Sequence, residues 1–97
     1  MNELLSFVAK NHEKLVLNDR QALVTISNQI EVFKKEQDEK KKVAVKQAIS
    51  MKLDGLQTVA QTRHYASASY TSPYADVNNR LILERAVGIA RRLLRKA

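Results

Sequence analysis

The stretch RLILERAVGIARRLLRKA, residues 80–97, carries the most regular pattern in the chain and indicates its fold class. At about 100° of rotation per residue, its apolar residues fall within an arc of about 160°. These are Ile82, Leu83, Ala86, Val87, Ile89, Ala90, Leu93 and Leu94. The opposite arc holds Arg80, Arg85, Arg91, Arg92, Arg95 and Lys96. The pattern predicts a basic amphipathic helix from about residue 73 to the end, with Ser72 as N-cap and Pro73 as the first helical residue.

The N-terminal segment shows the same helical spacing. Its stripe consists of Leu4, Leu5, Val8, His12, Leu15 and Val16 and predicts a short helix over about residues 2–17. Asn2 is the expected N-cap of this helix, and Asn18–Asp19 is its expected end.

A second helix is predicted from Asp19, which is a candidate N-cap. Its seam is formed by Leu23, Ile26, Ile30 and Phe33, a spacing typical of a helix that packs against a partner. The β-branched residues of LVTISNQIEVF, residues 23–33, would also suit two short strands joined at Asn28–Gln29. Because Asn-Gln lacks the glycine that tight hairpin turns favour, we predict a helix.

The polar run KKEQDEKKK, residues 34–42, is compatible with a solvated turn or with an uninterrupted exposed helix. If the spacing of the preceding seam is continued, the next positions are Gln37 and Lys40, which are polar. Because the apolar seam does not continue, we favour a break. A third helix is predicted over about residues 43–65. Its stripe contains Val45, Ile49, Leu53, Leu56 and Ala60, with Val59 beside it. On the other side, Gly55 would allow a bend or a close approach.

Composition supports a single all-α domain over residues 1–97. The chain has two glycines and one proline, so it has few positions for sharp turns. We therefore expect a small bundle of three to five helices, either monomeric or dimeric. Cysteine is absent, which excludes disulfides, thiolate metal sites and a cysteine nucleophile.

Positive charge is concentrated in the C-terminal half. Residues 1–40 hold six Lys/Arg and seven Asp/Glu, whereas residues 41–97 hold eleven Lys/Arg and three Asp/Glu. The halves therefore carry net charges of −1 and +8. This asymmetry indicates a polyanionic partner, since a positive potential raises the local concentration and association rate of negative molecules. A basic protein without such a partner is the simpler alternative.

All three tyrosines lie in RHYASASYTSPYADVNN, residues 63–79. Tyr65 and Tyr70, close to Arg63 and His64, could stack on the bases of a nucleic acid. Alternatively, the tyrosine rings pack over helix ends and hold the loop in place. The small residues between them indicate an adaptable loop rather than a catalytic one.

Catalytic and metal-binding patterns are absent from the sequence. His12 and His64 have no Asp or Glu at metal-ligand spacing, so we predict a core or interface histidine and a surface histidine, with no metal. The serines of residues 67–72 lack the G-x-S-x-G context, and the glycine count excludes a phosphate-cradling loop. A tyrosine nucleophile beside Arg63 would need further catalytic groups. We expect neither enzymatic activity nor a cofactor.

No membrane span or secretion signal is expected. The N-terminal MNELLSFVAKNHEK lacks a basic n-region and a continuous apolar region, and no apolar run reaches about 18 residues. We therefore expect a cytoplasmic protein. The C-terminal helix could still lie on an anionic membrane surface, which we rank third among its functions.

The function expected first is nucleic-acid binding through phosphate contacts, and the pattern is compatible with either DNA or RNA as the partner. Its expected footprint is Arg80, Arg85, Arg91, Arg92, Arg95 and Lys96, with Lys41, Lys42, Lys46 and Arg63 as secondary contacts and Tyr65 and Tyr70 as stacking residues. The alternative is a helical interaction or assembly factor, of the accessory type found in phages and plasmids, that uses the seam of residues 23–33 to bind an acidic protein.

Overall fold

Four α-helices and one 3₁₀ turn are present in the computed structural model, which describes residues 2–67 and 77–97. The helices are α1 (Glu3–Lys10), α2 (Leu17–Lys35), α3 (Glu39–Ser67) and α4 (Val77–Lys96), and the 3₁₀ turn spans His12–Lys14. The described residues contain no strand, which confirms the predicted small all-α bundle. The predicted cap at Ser72 and Pro73 lies outside these residues.

Helix α1 begins where the sequence predicted and ends earlier. The Leu5 N–H donates to Asn2 Oδ1 at 2.9 Å, which confirms Asn2 as the N-cap. The prediction that the helix continues to residue 17 is wrong, because Asn11 closes it. The Asn11 N–H bonds to the Phe7 and Val8 carbonyls, and its side-chain amide donates to the Phe7 carbonyl at 2.9 Å. His12 consequently leaves the apolar stripe and is exposed, so it is not a core histidine.

Helix α2 starts two residues before the predicted cap. Val16 occupies its N-cap position and provides no side-chain hydrogen bond, so the prediction that Asp19 caps the helix is wrong. Asp19 lies instead in the first turn, with 3% of its surface exposed, where a carboxylate suits the positive end of the helix dipole. Leu23, Ile26 and Ile30 are completely buried, and the segment is helical rather than a pair of strands.

The predicted break between the second and third helices is confirmed at residues 36–38. The Asp38 N–H donates to Glu36 Oε1 at 3.1 Å, which stabilises the turn. Asp38 Oδ1 then accepts hydrogen bonds from the N–H groups of Lys40 and Lys41, at 2.9 and 3.4 Å. Because Asp38 satisfies these first-turn donors, α3 begins at Glu39 rather than at residue 43.

Contacts between helices show that α3 runs antiparallel to both α2 and α4. The Lys42 ammonium lies 4.9 Å from the centre of the Phe33 ring, near the end of α2 and the start of α3. On the other side, the Arg91 guanidinium of α4 lies 2.7 Å from Asp54 Oδ1 of α3. Helix α3 is thus the central element, with α2 on one flank and α4 on the other.

Helix α1 bridges the two outer helices. The side-chain amide of Asn2 donates to Glu31 Oε1 of α2 at 3.1 Å, and Glu3 forms an ion pair with Arg92 of α4. The hydrogen bond from Asn2 is the main reason that the pKa of Glu31 lies below its usual value, with a smaller contribution from the charge of Lys34. The short helix α1 and its N-cap residue therefore contact both α2 and α4.

The apolar stripes predicted for the four helices meet in one core. Its buried members are Leu4, Val8, Leu15, Leu23, Ile26, Ile30, Phe33, Ile49, Leu53, Leu56, Ala60, Ile82, Leu83, Ala86, Val87, Ala90 and Leu94. Val45, Ile89 and Leu93 are partly buried against it. Of the two roles open to Gly55, a close approach or a bend, the structure does not show the close approach, because no described atom lies within 4 Å of the position that a Cβ would occupy there.

Candidate nucleic-acid interface

The cations of α4 lie outside the core because the opposite side of the helix is buried. Ala86 and Ala90 are completely buried, and Val87 is nearly so. Arg85, Arg95 and Lys96 are exposed, whereas Arg80, Arg91 and Arg92 are half-buried. The helix therefore directs its apolar arc inward and its guanidinium groups toward its sides and the solvent.

Three of the six predicted α4 cations are paired with carboxylates of the chain itself. Arg80 lies 3.4 Å from Glu84 on the same helix. Arg91 contacts Asp54, and Arg92 contacts Glu3. The sequence placed all six cations on one arc of the helix as an expected footprint, and these pairs leave only part of that arc open to a ligand. Within the described part of the chain, Arg85, Arg95 and Lys96 make no ion pair or side-chain hydrogen bond.

A groove between α3 and α4 brings cations of both helices together. Its volume is about 330 Å³, and its lining residues are Lys46, Ser50, Gly88, Arg91, Leu94 and Arg95. Lys46 and Arg95 are exposed, and buried Leu94 contributes to the floor. We call this the cationic groove. An ammonium and two guanidinium groups around one concavity form a suitable setting for phosphate oxygens.

Arg91 is held in place by two acceptors on α3. Its guanidinium donates to Asp54 Oδ1 at 2.7 Å and to Gln57 Oε1 at 3.0 Å. A guanidinium has five N–H donors, so these two bonds leave donors for an anion. The same bonds fix the side chain, which lowers the conformational entropy lost when a ligand binds.

The cationic groove continues into a second concavity of about 290 Å³. The lining of this second part consists of Gln57, Gln61, Glu84, Val87, Gly88 and Arg91. Gly88 and Arg91 line both parts, so the two are adjacent along α3 and α4, and the Arg91 side chain reaches across to Asp54 and Gln57 where they meet. We call the two parts together the channel. We call this second part the amide end. Side-chain amides supply hydrogen-bond donors and acceptors at the amide end, whereas the cationic groove supplies positive charge.

A different groove lies between α2 and α3. Its volume is about 500 Å³, and it is lined by Ala22, Thr25, Ile26, Lys52, Gly55, Leu56 and Val59. Apart from Lys52 and the Thr25 hydroxyl, these side chains are apolar, and 37% of the Val59 surface is exposed. We call this the apolar groove.

The other predicted contacts do not converge on one surface. Lys46 lines the cationic groove, whereas the ammonium of Lys42 lies over the Phe33 ring. Lys41 is exposed, and helical spacing places it on the side of α3 that faces α2. Arg63 and Tyr65 belong to α3, but their side chains lie outside the described residues, as does Tyr70 altogether.

Sequence reasoning missed five residues that line this channel and one that binds Arg91. The lining residues are Ser50, Gln57, Gln61, Glu84 and Gly88, and the partner of Arg91 is Asp54. Ser50, Asp54, Gln57 and Gln61 repeat at helical spacing on one side of α3, but a polar stripe is also what an ordinary exposed helix side shows, and Asp54 and Arg91 are 37 positions apart. The antiparallel pairing of α3 with α4 is what brings them together. Polar residues beside the apolar stripe of a helix are too common a signal to identify the site.

Among the described residues, no group of three or more His, Cys, Asp or Glu side chains is arranged to hold a metal ion. Nor does any described helix combine the length and the hydropathy needed to cross a membrane. No protein-family model, curated protein or solved structure matches the chain.

Proposed function

We propose that this protein is a small non-enzymatic nucleic-acid-binding protein that acts mainly through phosphate contacts. The observation that carries the proposal is the convergence of Lys46 from α3 with Arg91 and Arg95 from α4 around one groove. Cations from two helices at a concave surface focus a positive potential more strongly than the same charges spread over a convex one. The net charge of +7 adds a long-range attraction for polyanions.

The footprint is narrower than the one expected from sequence. Lys46, Arg91 and Arg95 form its centre, and exposed Arg85 and Lys96 extend it along α4. Arg80 and Arg92 serve mainly to pair with Glu84 and Glu3. A variant that removes Arg91 or Arg92 would loosen helix contacts as well as remove charge, so neither is suitable as a first test.

The test is a salt titration of oligonucleotide binding, followed by fluorescence anisotropy. The Lys46→Ala/Arg95→Ala variant removes two cations of the cationic groove. We expect weaker binding of every sequence. The slope of log affinity against log salt should decrease by about 0.9 for each duplex phosphate that is no longer neutralised, or about 0.7 for each phosphate of a single strand, which gives about 1.8 or about 1.4 for the two cations. The matched control is Lys41→Ala/Lys52→Ala, which removes the same charge from the other side of α3 and should leave most of the slope unchanged.

Two results would contradict the proposal. One is that the wild-type protein binds no oligonucleotide at low salt, and the other is that its affinity does not change with salt. An equal loss of slope in the groove variant and the control would show that net charge alone is responsible, without a defined phosphate site.

A second candidate function is binding of a partner protein at the apolar groove. The seam first considered for this role, formed by Leu23, Ile26, Ile30 and Phe33, is buried within the chain, so a change such as Ile30→Asp would unfold the protein. The open apolar groove is a separate observation that favours the same function. Lys52 beside its apolar lining would suit a partner helix with an apolar face and an acidic edge.

The second candidate is tested with Val59→Glu, which places a charge in the apolar groove at a position exposed enough to keep the fold. Val32→Glu is the control, because Val32 is exposed on α2 and does not line that groove. We expect wild type and Val32→Glu to retain one stoichiometric protein from a nuclease-treated lysate and Val59→Glu to lose it. Equal retention by all three proteins would exclude the groove as the binding site.

A further inference from the structure

We infer that the channel formed by the cationic groove and the amide end holds a single strand of nucleic acid, and that Gly88 provides the space for it. This inference rests on the proposed function and assigns a strandedness and a binding position to it. The observations that carry it are the identity of residue 88, the concave shape of the channel and the order of charges along it.

Among the described residues, no contact requires glycine at position 88. Gly88 lies in the interior of α4, where glycine is less favourable than alanine for helix stability. No atom lies within 4 Å of the position that a Cβ would occupy at residue 88, so neither packing nor backbone geometry requires glycine there. A side chain at this position would instead project into the channel that Gly88 lines at both parts.

The shape of the channel favours a single strand over a duplex. Proteins read a duplex by placing a helix or a β-ribbon, which are convex elements, into its groove. Proteins that bind single strands provide a positively charged groove that follows the backbone. The channel is concave, and its parts of about 330 and 290 Å³ meet at Gly88 and Arg91. Each part is close to the lower end of the range for small-ligand sites, about 300–1,000 Å³, which suits the units of one strand better than a base-paired duplex.

The side chains along the channel indicate how the strand lies. Lys46 and Arg95, which form no ion pair with a described residue, attract phosphates at one part, whereas at the other part Glu84 is already paired with Arg80 and the side-chain amides are uncharged. Gln57 uses its Oε1 atom to accept from Arg91, which leaves its N–H donors available, and Gln61 lies beside it. We therefore place the phosphates in the cationic groove and a sugar or base edge at the amide end.

The experiment compares the two helix-interior glycines, Gly88 and Gly55. At both positions a new Cβ would meet no atom within 4 Å, but Gly55 lines the apolar groove and Gly88 the channel. The variants are Gly88→Leu and Gly55→Leu, with Gly88→Ala and Gly55→Ala as the smaller pair. None of these changes alters the charge. The probes are fluorescent single-stranded DNA, single-stranded RNA and duplex DNA with equal numbers of phosphates.

We expect the wild-type protein to bind the single strands more tightly than the duplex. We also expect Gly88→Leu to bind single strands about tenfold more weakly, because its side chain fills the channel, while Gly55→Leu stays within about twofold of wild type. Circular dichroism and thermal melting establish that each variant is folded. If either leucine variant fails to fold, the two alanine variants are compared instead. We then expect Gly88→Ala to lose some affinity for single strands, although less than Gly88→Leu, and Gly55→Ala to lose none.

The possible results separate this inference from the proposed function. Absence of binding by the wild type would overturn both. Salt-dependent binding that is equal in the Gly88 and Gly55 variants would overturn the inference and leave the proposed function standing. A preference for the duplex that is insensitive to Gly88→Leu would also overturn the inference. Loss of single-strand binding confined to the Gly88 variants would support it, and the ratio of DNA to RNA affinity would then identify the preferred strand.

Discussion

The two grooves beside α3 share one helix but differ in chemistry. The groove facing α2 is apolar and contains Leu56 and Val59, whereas the groove facing α4 contains Lys46, Arg91 and Arg95. Between them lies the buried stripe of α3, with Ile49 and Leu53 completely excluded from solvent. A single helix can thus separate a surface suited to apolar contacts from one suited to anions.

Helical geometry explains this division. At about 100° per residue, Lys52, Gly55 and Val59 fall on one side of the buried stripe, and Lys46, Ser50 and Gln57 fall on the other. The neighbouring helices then determine the character of each groove. Helix α2 contributes Ala22 and Ile26, while α4 contributes its two guanidinium groups. The following predictions concern the helix that the grooves share, the attachment of α1 to the two outer helices, and the glycine that lines each groove.

The largest effect is expected for Leu53→Ala, which removes a buried side chain from the helix that forms a wall of both grooves. The cavity and the smaller buried apolar surface should lower the free energy of unfolding by about 2–5 kcal/mol. Chemical denaturation followed by circular dichroism measures the change. The control is Met51→Ala on the same helix, where 73% of the residue surface is exposed and the expected change is close to zero. Similar effects of the two changes would contradict the burial of Leu53 in the stripe that separates the two grooves.

A smaller effect is expected for Asn2→Ala, which weakens the attachment of α1 to α2 by removing the N-cap and the bond to Glu31. Removal of the N-cap should lower the free energy of unfolding by about 1 kcal/mol. The pKa of Glu31 is lowered in the folded protein. The ionised Glu31 side chain therefore stabilises the fold at pH values above its ordinary pKa of 4.5, and this stabilisation is lost as the pH falls through the pKa of the folded state.

The pH dependence separates the two roles of Asn2. We expect the difference in the free energy of unfolding between wild type and Asn2→Ala to decrease when Glu31 is protonated. The part of the difference that comes from the lost N-cap should remain. Glu31→Gln in the same assay should remove the pH-dependent part. A difference that is constant from acid to neutral pH would contradict the assigned link between Asn2 and Glu31.

Gly55→Ala and Gly88→Ala are expected to stabilise the protein by about 0.5–1 kcal/mol each, because alanine has the higher helix propensity and meets no nearby atom at either position. Thermal unfolding measures both changes. The contrast between the two grooves is supported if the two variants gain equal stability and only Gly88→Ala loses affinity for single-stranded nucleic acid. A destabilising effect of either change would show that the groove beside it is narrower than described.

The smallest effect is expected for Glu3→Gln, which removes the ion pair between α1 and Arg92 of α4. Both side chains are about half exposed, so solvent screening should limit the loss of stability to less than about 1 kcal/mol. The loss should decrease further at high salt. Glu13→Gln, on the exposed 3₁₀ turn, is the control for the change in net charge. A loss that is insensitive to salt would indicate a packing role for Glu3 instead.

Periodicity along the chain was sufficient to predict most of the fold. The seam from Leu23 to Phe33 and the apolar arc from Ile82 to Leu94 are buried as their spacing indicated, because a helix with one apolar side must cover that side. The predicted helix ends were less accurate. Asn11 and Asn18 are the same residue type, and only the bonds of Asn11 to Phe7 show which one ends α1.

The positions of the cations depend on tertiary contacts. Composition alone established that the C-terminal half is basic, and the spacing of α4 placed its arginines opposite the apolar arc. Which arginines pair with carboxylates and which line a groove depends on residues of other helices, such as Asp54 and Glu3. Helix formation is governed by neighbours within about four positions, whereas these contacts depend on the register of helices packed across the core. That register brings Lys46 beside Arg95 and opens the channel at Gly88.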